Sequence, residues 1–178
     1  MGSALDSVEC RESVPADEPS IETLYPQAFP DEDLLPLVRD LLRDGSNCLS
    51  LVATANSRLA GHVVFTACGI ERSTATASLL APLAVAPAFQ RRGVGTSLVQ
   101  AGLRRIIDSG TAVAFVLGDP AYYSRFGFEP EPVIRPPYPL PDEWQGAWQS
   151  LWLRESSDRN QGKLLVPSPW LQPALWAP

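Results

Sequence analysis

The spacing of hydrophobic residues changes along this chain, and the change of period separates its elements. In the middle of the sequence, residues 79–85 form an apolar run that is typical of a buried strand. After a short polar loop, apolar residues recur at helical spacing over residues 94–107, and Gly110 predicts the end of that helix. The pattern therefore predicts a strand, a loop and an amphipathic helix in direct succession.

Two further helices are predicted near the start of the chain. Asp17 is a candidate cap for a helix that passes through Tyr25 and is limited by Pro26. Asp31 is a candidate cap for a second helix over residues 34–42, where the apolar residues form one stripe.

Short apolar runs predict the strands, over residues 8–12, 48–54, 59–68, 74–85, 112–118, 147–153 and 162–166. The second and third runs are joined by a loop of hairpin length, which predicts an antiparallel pair. The helix between residues 74–85 and 112–118 predicts a parallel pair, because a helical crossover returns the chain in the same direction. The proline-rich residues 129–141 predict an extended crossing on the surface.

Length and composition favour one domain over residues 1–178, with a core over about residues 8–155 and a C-terminal strand and Pro/Trp-rich wrap over residues 156–178. The chain has 178 residues, of which 45% are hydrophobic, enough for a sizeable core. All five tryptophans lie in the last part of the chain. They form either a hydrophobic lid over a pocket or a patch for a second subunit, and core filling explains some of them; we favour core filling together with contact in a homodimer.

Charge and cysteine usage exclude several classes of function. With 14 Lys and Arg against 20 Asp and Glu, the net charge is −6, which disfavours nucleic acid and anionic membranes as partners and favours a cationic amine. The first six residues do not resemble a signal peptide, and no window approaches the roughly 18 apolar residues of a membrane span, so we expect a cytoplasmic protein. Cys10, Cys48 and Cys68 are odd in number and widely spaced, so neither a metal site nor a disulfide framework is predicted.

The loop before the long helix carries the chemistry. Gly93 and Gly95 let the backbone approach an anion closely, and free amides at a helix start point toward it. Arg91 and Arg92 either bind a phosphate or only solvate the loop. A P-loop would need a lysine after Gly95, where this chain has Thr96, and a dinucleotide-binding fingerprint would need a glycine in place of Leu98. Both of these phosphate-binding motifs are therefore excluded.

The residues Gln-Arg-Arg-Gly-Val-Gly at 90–95 match the motif Gln/Arg-x-x-Gly-x-Gly/Ala, and the chain here resembles the GNAT superfamily of acetyl-CoA-dependent N-acetyltransferases. Residues 115–128 resemble the second landmark of that family, a strand followed by a tyrosine-bearing helix and Gly-Phe. The sequence pattern Leu-Gly-Asp-Pro-x-Tyr-Tyr-x-Arg-Phe-Gly-Phe, at residues 117–128, is similar to that of one branch of predicted acetyltransferases. The specific resemblance covers residues 58–130.

The resemblance implies a mixed α/β fold, the GNAT fold, with a central, mixed but mostly antiparallel twisted sheet that is splayed at the cofactor site and flanked by helices. It implies that acetyl-CoA is a co-substrate and that no metal takes part. The strand region is expected to hold the pantetheine arm, with one amide as an oxyanion donor. The residues it assigns to acetyl-CoA are Leu83, Ala84, Val85, Gln90, Arg91, Arg92, Gly93, Val94, Gly95, Thr96 and Asp119; for Asp119, capping of the following helix is the competing role.

The resemblance also assigns Tyr123, four residues before Gly127, as the acid that protonates the departing CoA thiolate. Tyr122 is expected to pack instead. Residues 74–85 contain no Asp or Glu, although that strand often supplies a base in this superfamily. His62, the sole histidine, is either a general base or a structural residue, and deprotonation through water is equally open.

These expectations combine into an N-acetyltransferase that transfers an acetyl group to a primary amine by direct attack in a ternary complex. The acceptor is a small-molecule or peptide amine of unassigned identity. Two alternatives stay open at this point: a non-catalytic acyl-CoA-binding regulatory module, and an acyltransferase that uses a longer acyl-CoA donor.

Overall fold

The computed structural model of the protein describes residues 7–156 and 161–177, so the prediction about the first six residues lies outside the described residues. The chain forms two compact units. The first unit comprises Met1–Phe65 and Pro82–Arg104, and the second comprises Thr66–Ala81 and Arg105–Pro178. The single domain expected from length therefore stays a prediction.

The described residues contain nine strands and four α-helices. The strands are β1 (Glu9–Glu12), β2 (Cys48–Ala55), β3 (Arg58–Ile70), β4 (Ala77–Val85), β5 (Val113–Leu117), β6 (Glu129–Pro130), β7 (Ile134–Arg135), β8 (Trp148–Trp152) and β9 (Gly162–Leu165). The helices are α1 (Glu18–Ala28), α2 (Leu35–Arg43), α3 (Val94–Asp108) and α4 (Pro120–Tyr123). All seven predicted strands are present, with ends shifted by a few residues.

The fold is mixed α/β with a mostly antiparallel open sheet, as expected. In the first unit the strand order is β1-β2-β3-β4, and in the second it is β3-β4-β5-β8-β6. β1 pairs antiparallel with β2, and β5 and β6 each pair antiparallel with β8. The predicted parallel pair of β4 and β5 is confirmed, and a second parallel pair joins β7 to β9.

Asp17 stands at the N-cap position of α1 as predicted, but its side chain makes no capping hydrogen bond there, and the predicted cap of α2 at Asp31 is wrong. The Asp17 carboxylate accepts from Arg11 at 2.7 Å and from the Val14 amide at 2.8 Å, and the Arg11 hydrogen bond lowers the pKa of Asp17. It therefore closes the turn before α1. α2 begins at Leu35, whose amide donates to the Asp33 carboxylate two residues earlier, at 3.3 Å.

In the first unit, α3 packs closely against β3. A Cβ built on Gly102 would lie 2.0 Å from the Phe65 ring, and one on Gly61 would lie 2.9 Å from the Leu98 side chain. Only glycines permit this approach, which fixes where α3 begins relative to the end of β4. The core beside it contains Ile21, Leu24, Tyr25, Val38, Val52 and Ala84.

In the second unit, the residues between α4 and β8 are more ordered than the predicted surface crossing. They form β6 and β7, and Ile134 is buried. The Glu131 carboxylate accepts from the amides of Val133 and Ile134, both at 2.8 Å, so a side chain supplies the bonds that this proline-rich segment lacks. The sequence pattern does not reveal such a local side-chain bond.

Three of the five tryptophans fill the core of the second unit, as expected. Trp148, Trp170 and Trp176 are at most 5% exposed. Each indole N–H is satisfied: Trp148 donates to the Ile134 carbonyl, Trp170 to the Thr66 hydroxyl and Trp176 to the Trp170 carbonyl. The contact of tryptophans with a second subunit stays a prediction.

Within residues 7–156 and 161–177, no helix has the length and apolar character to cross a membrane. In the same residues no group of three or more His, Cys, Asp or Glu side chains is placed to hold a metal ion. The thiols of Cys10, Cys48 and Cys68 are half-buried and not in disulfide bonds.

Candidate active site

The loop between β4 and α3 presents its backbone outward. A short 3-10 turn, Pro87–Phe89, leads into Gln90, Arg91, Arg92 and Gly93, and all four of these residues are exposed. Arg91 and Gly93 adopt left-handed backbone angles, with φ of 58° and 82°. Glycine adopts this conformation without strain, whereas arginine does so at a cost in free energy. The backbone preference of Arg91 alone therefore does not explain the shape of the loop.

Contacts with neighbouring strands hold this loop. Gln90 donates from its side-chain amide to the Val85 carbonyl at 3.2 Å, joining the loop to the end of β4. Phe89 is buried, and the Arg58 guanidinium lies 5.8 Å from its ring centroid. These contacts give Gln90 a direct role in shaping the loop.

The start of α3 contains the candidate anion cradle, by which we mean the backbone of residues 93–96. The Ser97 amide bonds to the Gly93 carbonyl at 2.9 Å, so the amides of Val94, Gly95 and Thr96 precede the first bond of the helix. A Cβ built on Gly93 meets no atom within 4 Å. Open space beside Gly93, next to free amides at a helix start, suits a phosphate group.

The parallel ladder between β4 and β5 involves only the first residues of β4. The ladder with β5 joins Ala77–Leu79 to Val113–Phe115, and β4 then continues to Val85. Of the residues predicted to hold the pantetheine arm, Leu83 and Val85 are half-buried and Ala84 is buried. All three come after the last residue of β4 that pairs with β5, and the splay of the two strands stays a prediction.

In the second unit, Asp119 caps α4. Its carboxylate accepts from the Ala121 amide at 2.9 Å, the geometry of an N-cap. This supports the capping role that competed with cofactor contact, and the cofactor contact of Asp119 stays a prediction.

Tyr123 is held by packing on several sides. Its ring lies against Gly118, where a Cβ would come within 2.5 Å, and it makes an edge contact with Phe128 at 5.8 Å between centroids. Among the described residues, its hydroxyl has no hydrogen-bond partner. The ring is therefore fixed while the hydroxyl remains available to a ligand.

Burial raises the pKa of Tyr123, and the neighbouring Tyr122 raises it further. The phenol therefore stays protonated near neutral pH and acts as a donor. Tyr122 is half-buried, lies edge-on to Tyr123 at 4.9 Å and has the Arg125 guanidinium 4.4 Å from its ring centroid. This arrangement agrees with the packing role expected of Tyr122.

His62 is enclosed in the first unit and has both ring nitrogens engaged. Nδ1 lies 2.7 Å from the Tyr25 hydroxyl and Nε2 lies 2.8 Å from the Ser50 hydroxyl, which also accepts from Ser13. Burial lowers the pKa of His62 to about 4. A buried imidazole with two partners fits the structural role better than that of a general base.

One polar group near Tyr123 was not predicted. Gln149 of β8 is 1% exposed, and its side-chain amide donates to the Gly118 carbonyl at 3.0 Å. Its Oε1 is buried and has no hydrogen-bond partner in the described part of the chain. Gln149 and Gly118 lie 31 residues apart, so no sequence motif could have joined them.

Sequence comparisons match this chain to a family model and to curated sequences. A family model described as an acetyltransferase (GNAT) domain matches residues 46–130. The uncharacterized N-acetyltransferase YjhQ of Escherichia coli K12 is 36% identical over 140 residues, which cover 75% of this chain and 77% of YjhQ. The uncharacterized N-acetyltransferase YhbS of the same organism is 38% identical over 120 residues, which cover 67% and 72%.

Structure comparisons agree. The crystal structure of YhbS from Escherichia coli in complex with CoA has a TM-score of 0.83 and 30% identity, over 97% of this chain and 96% of that chain. A GNAT family acetyltransferase from Brucella melitensis in complex with acetyl-CoA has a TM-score of 0.73 and 26% identity, over 92% and 98%.

Proposed function

This chain belongs to the GNAT family and is an N-acetyltransferase, and from that premise we propose that it transfers the acetyl group of acetyl-CoA to a primary amine in a ternary complex. The observation that carries the proposal is the backbone at residues 93–96, with open space beside Gly93 and free amides at the start of α3, shortly after the end of β4.

Acetyl-CoA as the donor is supported by the fit of this loop to a pyrophosphate. The free amides of Val94, Gly95 and Thr96 would bind phosphate oxygens, and the exposed Arg91 and Arg92 would add positive charge at the rim. Two similar structures contain CoA and acetyl-CoA. Both the loop and the relatives therefore favour the same co-substrate.

In this proposal the end of β4 binds the rest of the co-substrate. The backbone of Leu83, Ala84 and Val85 pairs with the pantetheine arm in the manner of an added strand. One amide of this segment donates to the thioester carbonyl and stabilises the oxyanion that forms when the amine attacks. The work is done by the backbone, so ordinary core side chains are sufficient at these positions.

Tyr123 then donates its phenolic proton to the sulfur as the carbon–sulfur bond breaks. The amine nitrogen forms the new bond to the acetyl carbon and loses a proton, and CoA leaves as the thiol. Burial raises the pKa of Tyr123, which makes transfer harder, but the same burial raises the pKa of a thiol beside it. The difference in pKa between the phenol of Tyr123 and the CoA thiol is therefore smaller than the raised pKa of Tyr123 alone indicates.

The acceptor amine must lose its proton by another route than His62. That imidazole is enclosed and bonded at both nitrogens, and β4 carries no carboxylate. We propose an amine that binds in its neutral form or loses a proton through water. The net charge of −6 favours a cationic amine as the species attracted to the protein.

The test compares Tyr123→Phe with the wild type. We expect acetyl-CoA affinity to stay within about twofold, because the cradle is unchanged, while kcat with a panel of amines falls about 100-fold through loss of the proton donor. Calorimetric titration measures the affinity, and thiol release measures kcat.

Tyr122→Phe is the matched control, since it removes a hydroxyl from the neighbouring ring and should retain most activity. A wild-type protein that binds acetyl-CoA but releases no thiol with any amine would contradict the transferase and favour the regulatory module. Equal kcat in Tyr123→Phe and the wild type would remove Tyr123 from the mechanism.

A further inference from the structure

A cavity of about 460 Å³ in the second unit carries positive charge, although the whole chain is acidic at −6. Arg72 lines it from the turn after β3, and Arg135 lines it from β7. Both residues are exposed. Within residues 7–156 and 161–177, neither guanidinium forms an ion pair or a side-chain hydrogen bond.

A third cation lies beside Arg135. β7 and β9 run parallel, with Arg135 in register with Lys163. Register partners point to the same face of a sheet, so the two cationic side chains lie next to each other and repel. Lys163 is also exposed and forms no ion pair in the described residues. An anion between them would remove the repulsion.

The carboxylates nearby do not supply that anion. Glu71 lines the same cavity but forms no ion pair with the three cations, all of which are described residues. Glu131 is occupied elsewhere: one of its oxygens accepts from two backbone amides, and the other accepts from the Ser150 hydroxyl at 2.6 Å. The positive charge of the cavity is therefore not neutralised by these side chains.

The backbone that carries these cations is fixed. The Glu71 amide donates to the Lys163 carbonyl at 2.9 Å, and a Cβ on Gly162 would lie 2.6 Å from the Glu71 carbonyl. Arg72 has a φ of 59°, in the left-handed region where glycine is favoured. This conformation is strained for an arginine, and glycine would form the same turn without that strain.

We propose that this cavity binds a small polyvalent oxyanion of the phosphate or polycarboxylate class, held by Arg72 and Arg135 of its lining, with Lys163 as the charge in register with Arg135. Guanidinium groups bind both kinds of oxyanion through two parallel hydrogen bonds, and the ammonium adds a compact charge. None of these residues belongs to the loop over residues 90–96 or to the helix of Tyr123. The site is therefore additional to the binding of acetyl-CoA.

The test uses the full chain saturated with CoA, so that the loop over residues 90–96 is filled before the second anion is added. Inorganic phosphate and citrate are then titrated separately by calorimetry. We expect one further anion per chain, bound more weakly as salt is raised. We expect Arg72→Gln/Arg135→Gln to weaken that affinity at least tenfold. A stronger response to phosphate or to citrate identifies the ligand class, and either supports the site.

The matched control is Arg43→Gln/Arg104→Gln, which removes two exposed arginines and the same charge outside the cavity. It should bind the anion within about twofold of the wild type. Arg72→Gly separates binding from folding, because glycine relieves the left-handed strain: it should keep the thermal midpoint of the wild type or raise it, and still lose affinity. Absence of binding to the CoA-saturated wild type, or equal losses in the two double variants, would overturn the proposal.

Discussion

At the residue scale, the chain of hydrogen bonds through His62 shows how a polar group can be buried without becoming reactive. Tyr25 comes from α1, Ser50 from β2 and His62 from β3, so the three side chains join three elements of the first unit. Burial raises the pKa of Tyr25 and lowers that of His62, and both groups are therefore neutral around pH 7. A neutral, fully bonded network avoids the cost of a buried charge.

His62 makes stability depend on pH with a definite sign. The pKa of His62 is about 4 in the folded protein against 6.5 as the ordinary value, so the unfolded chain binds the proton first as pH falls. The stabilisation is complete above pH 6.5 and is lost progressively down to pH 4. We expect the unfolding free energy to fall by roughly 3 kcal/mol between pH 6.5 and pH 4, as measured by urea denaturation at a series of pH values.

His62→Gln is the comparison for this slope, because His62 is the sole histidine of the chain. The variant should be less stable at pH 7 and should lose less stability between pH 6.5 and pH 4 than the wild type. Parallel pH profiles for the two proteins would show that the imidazole is not held neutral by the fold.

At the element scale, the loop between β4 and α3 depends on a glycine for two separate reasons. Gly93 has a left-handed φ of 82°, and the space in front of it is open. Gly93→Ala should strain the turn and place a methyl group where a phosphate would bind. We expect a stability loss of about 1 kcal/mol and an acetyl-CoA affinity at least tenfold weaker, measured by thermal unfolding and calorimetry.

Gly110→Ala is the control for the strain alone. Gly110 has a φ of 93° after the end of α3, and its nearest neighbour would be the Arg154 side chain at 3.9 Å. It should lose similar stability and keep its acetyl-CoA affinity. If both variants bind acetyl-CoA equally well, the loop does not hold the pyrophosphate.

Elements were predictable from the sequence where packing imposes a period. α3 was predictable from apolar residues at helical spacing, and the central strands β3 and β4 from apolar runs that are buried on both faces. Local side-chain bonds carry no such period. The bond from the Leu35 amide to Asp33 at the start of α2 and the order supplied by Glu131 were therefore not predicted. The residues of the loop over 90–96 were found because they are adjacent in sequence, whereas Gln149 and Gly118 meet only in the fold.

At the scale of the whole molecule, the end of the chain is part of the core of the second unit. Trp176 is 2% exposed, donates to the Trp170 carbonyl and lies edge-on to Trp148 at 5.9 Å. Trp176→Ala should therefore cost about 3–5 kcal/mol of unfolding free energy, as removal of a buried tryptophan does elsewhere. Urea denaturation followed by circular dichroism measures it.

Trp144→Ala is the matched variant, because Trp144 is only half-buried in a 3-10 turn. We expect less than half the loss found for Trp176→Ala. A loss of under 1 kcal/mol in Trp176→Ala would mean that the C-terminal residues do not contribute to the core as the packing indicates.

The placement of the tryptophans has an optical consequence. All five lie in the second unit, and three of them are enclosed in its core. Tryptophan fluorescence therefore comes from the second unit alone. The first unit, which contains the loop over residues 90–96, has no tryptophan and emits no such fluorescence. A change in tryptophan emission on adding acetyl-CoA would mean that the surroundings of tryptophans in the second unit had changed. An unchanged spectrum would not show whether the loop is occupied.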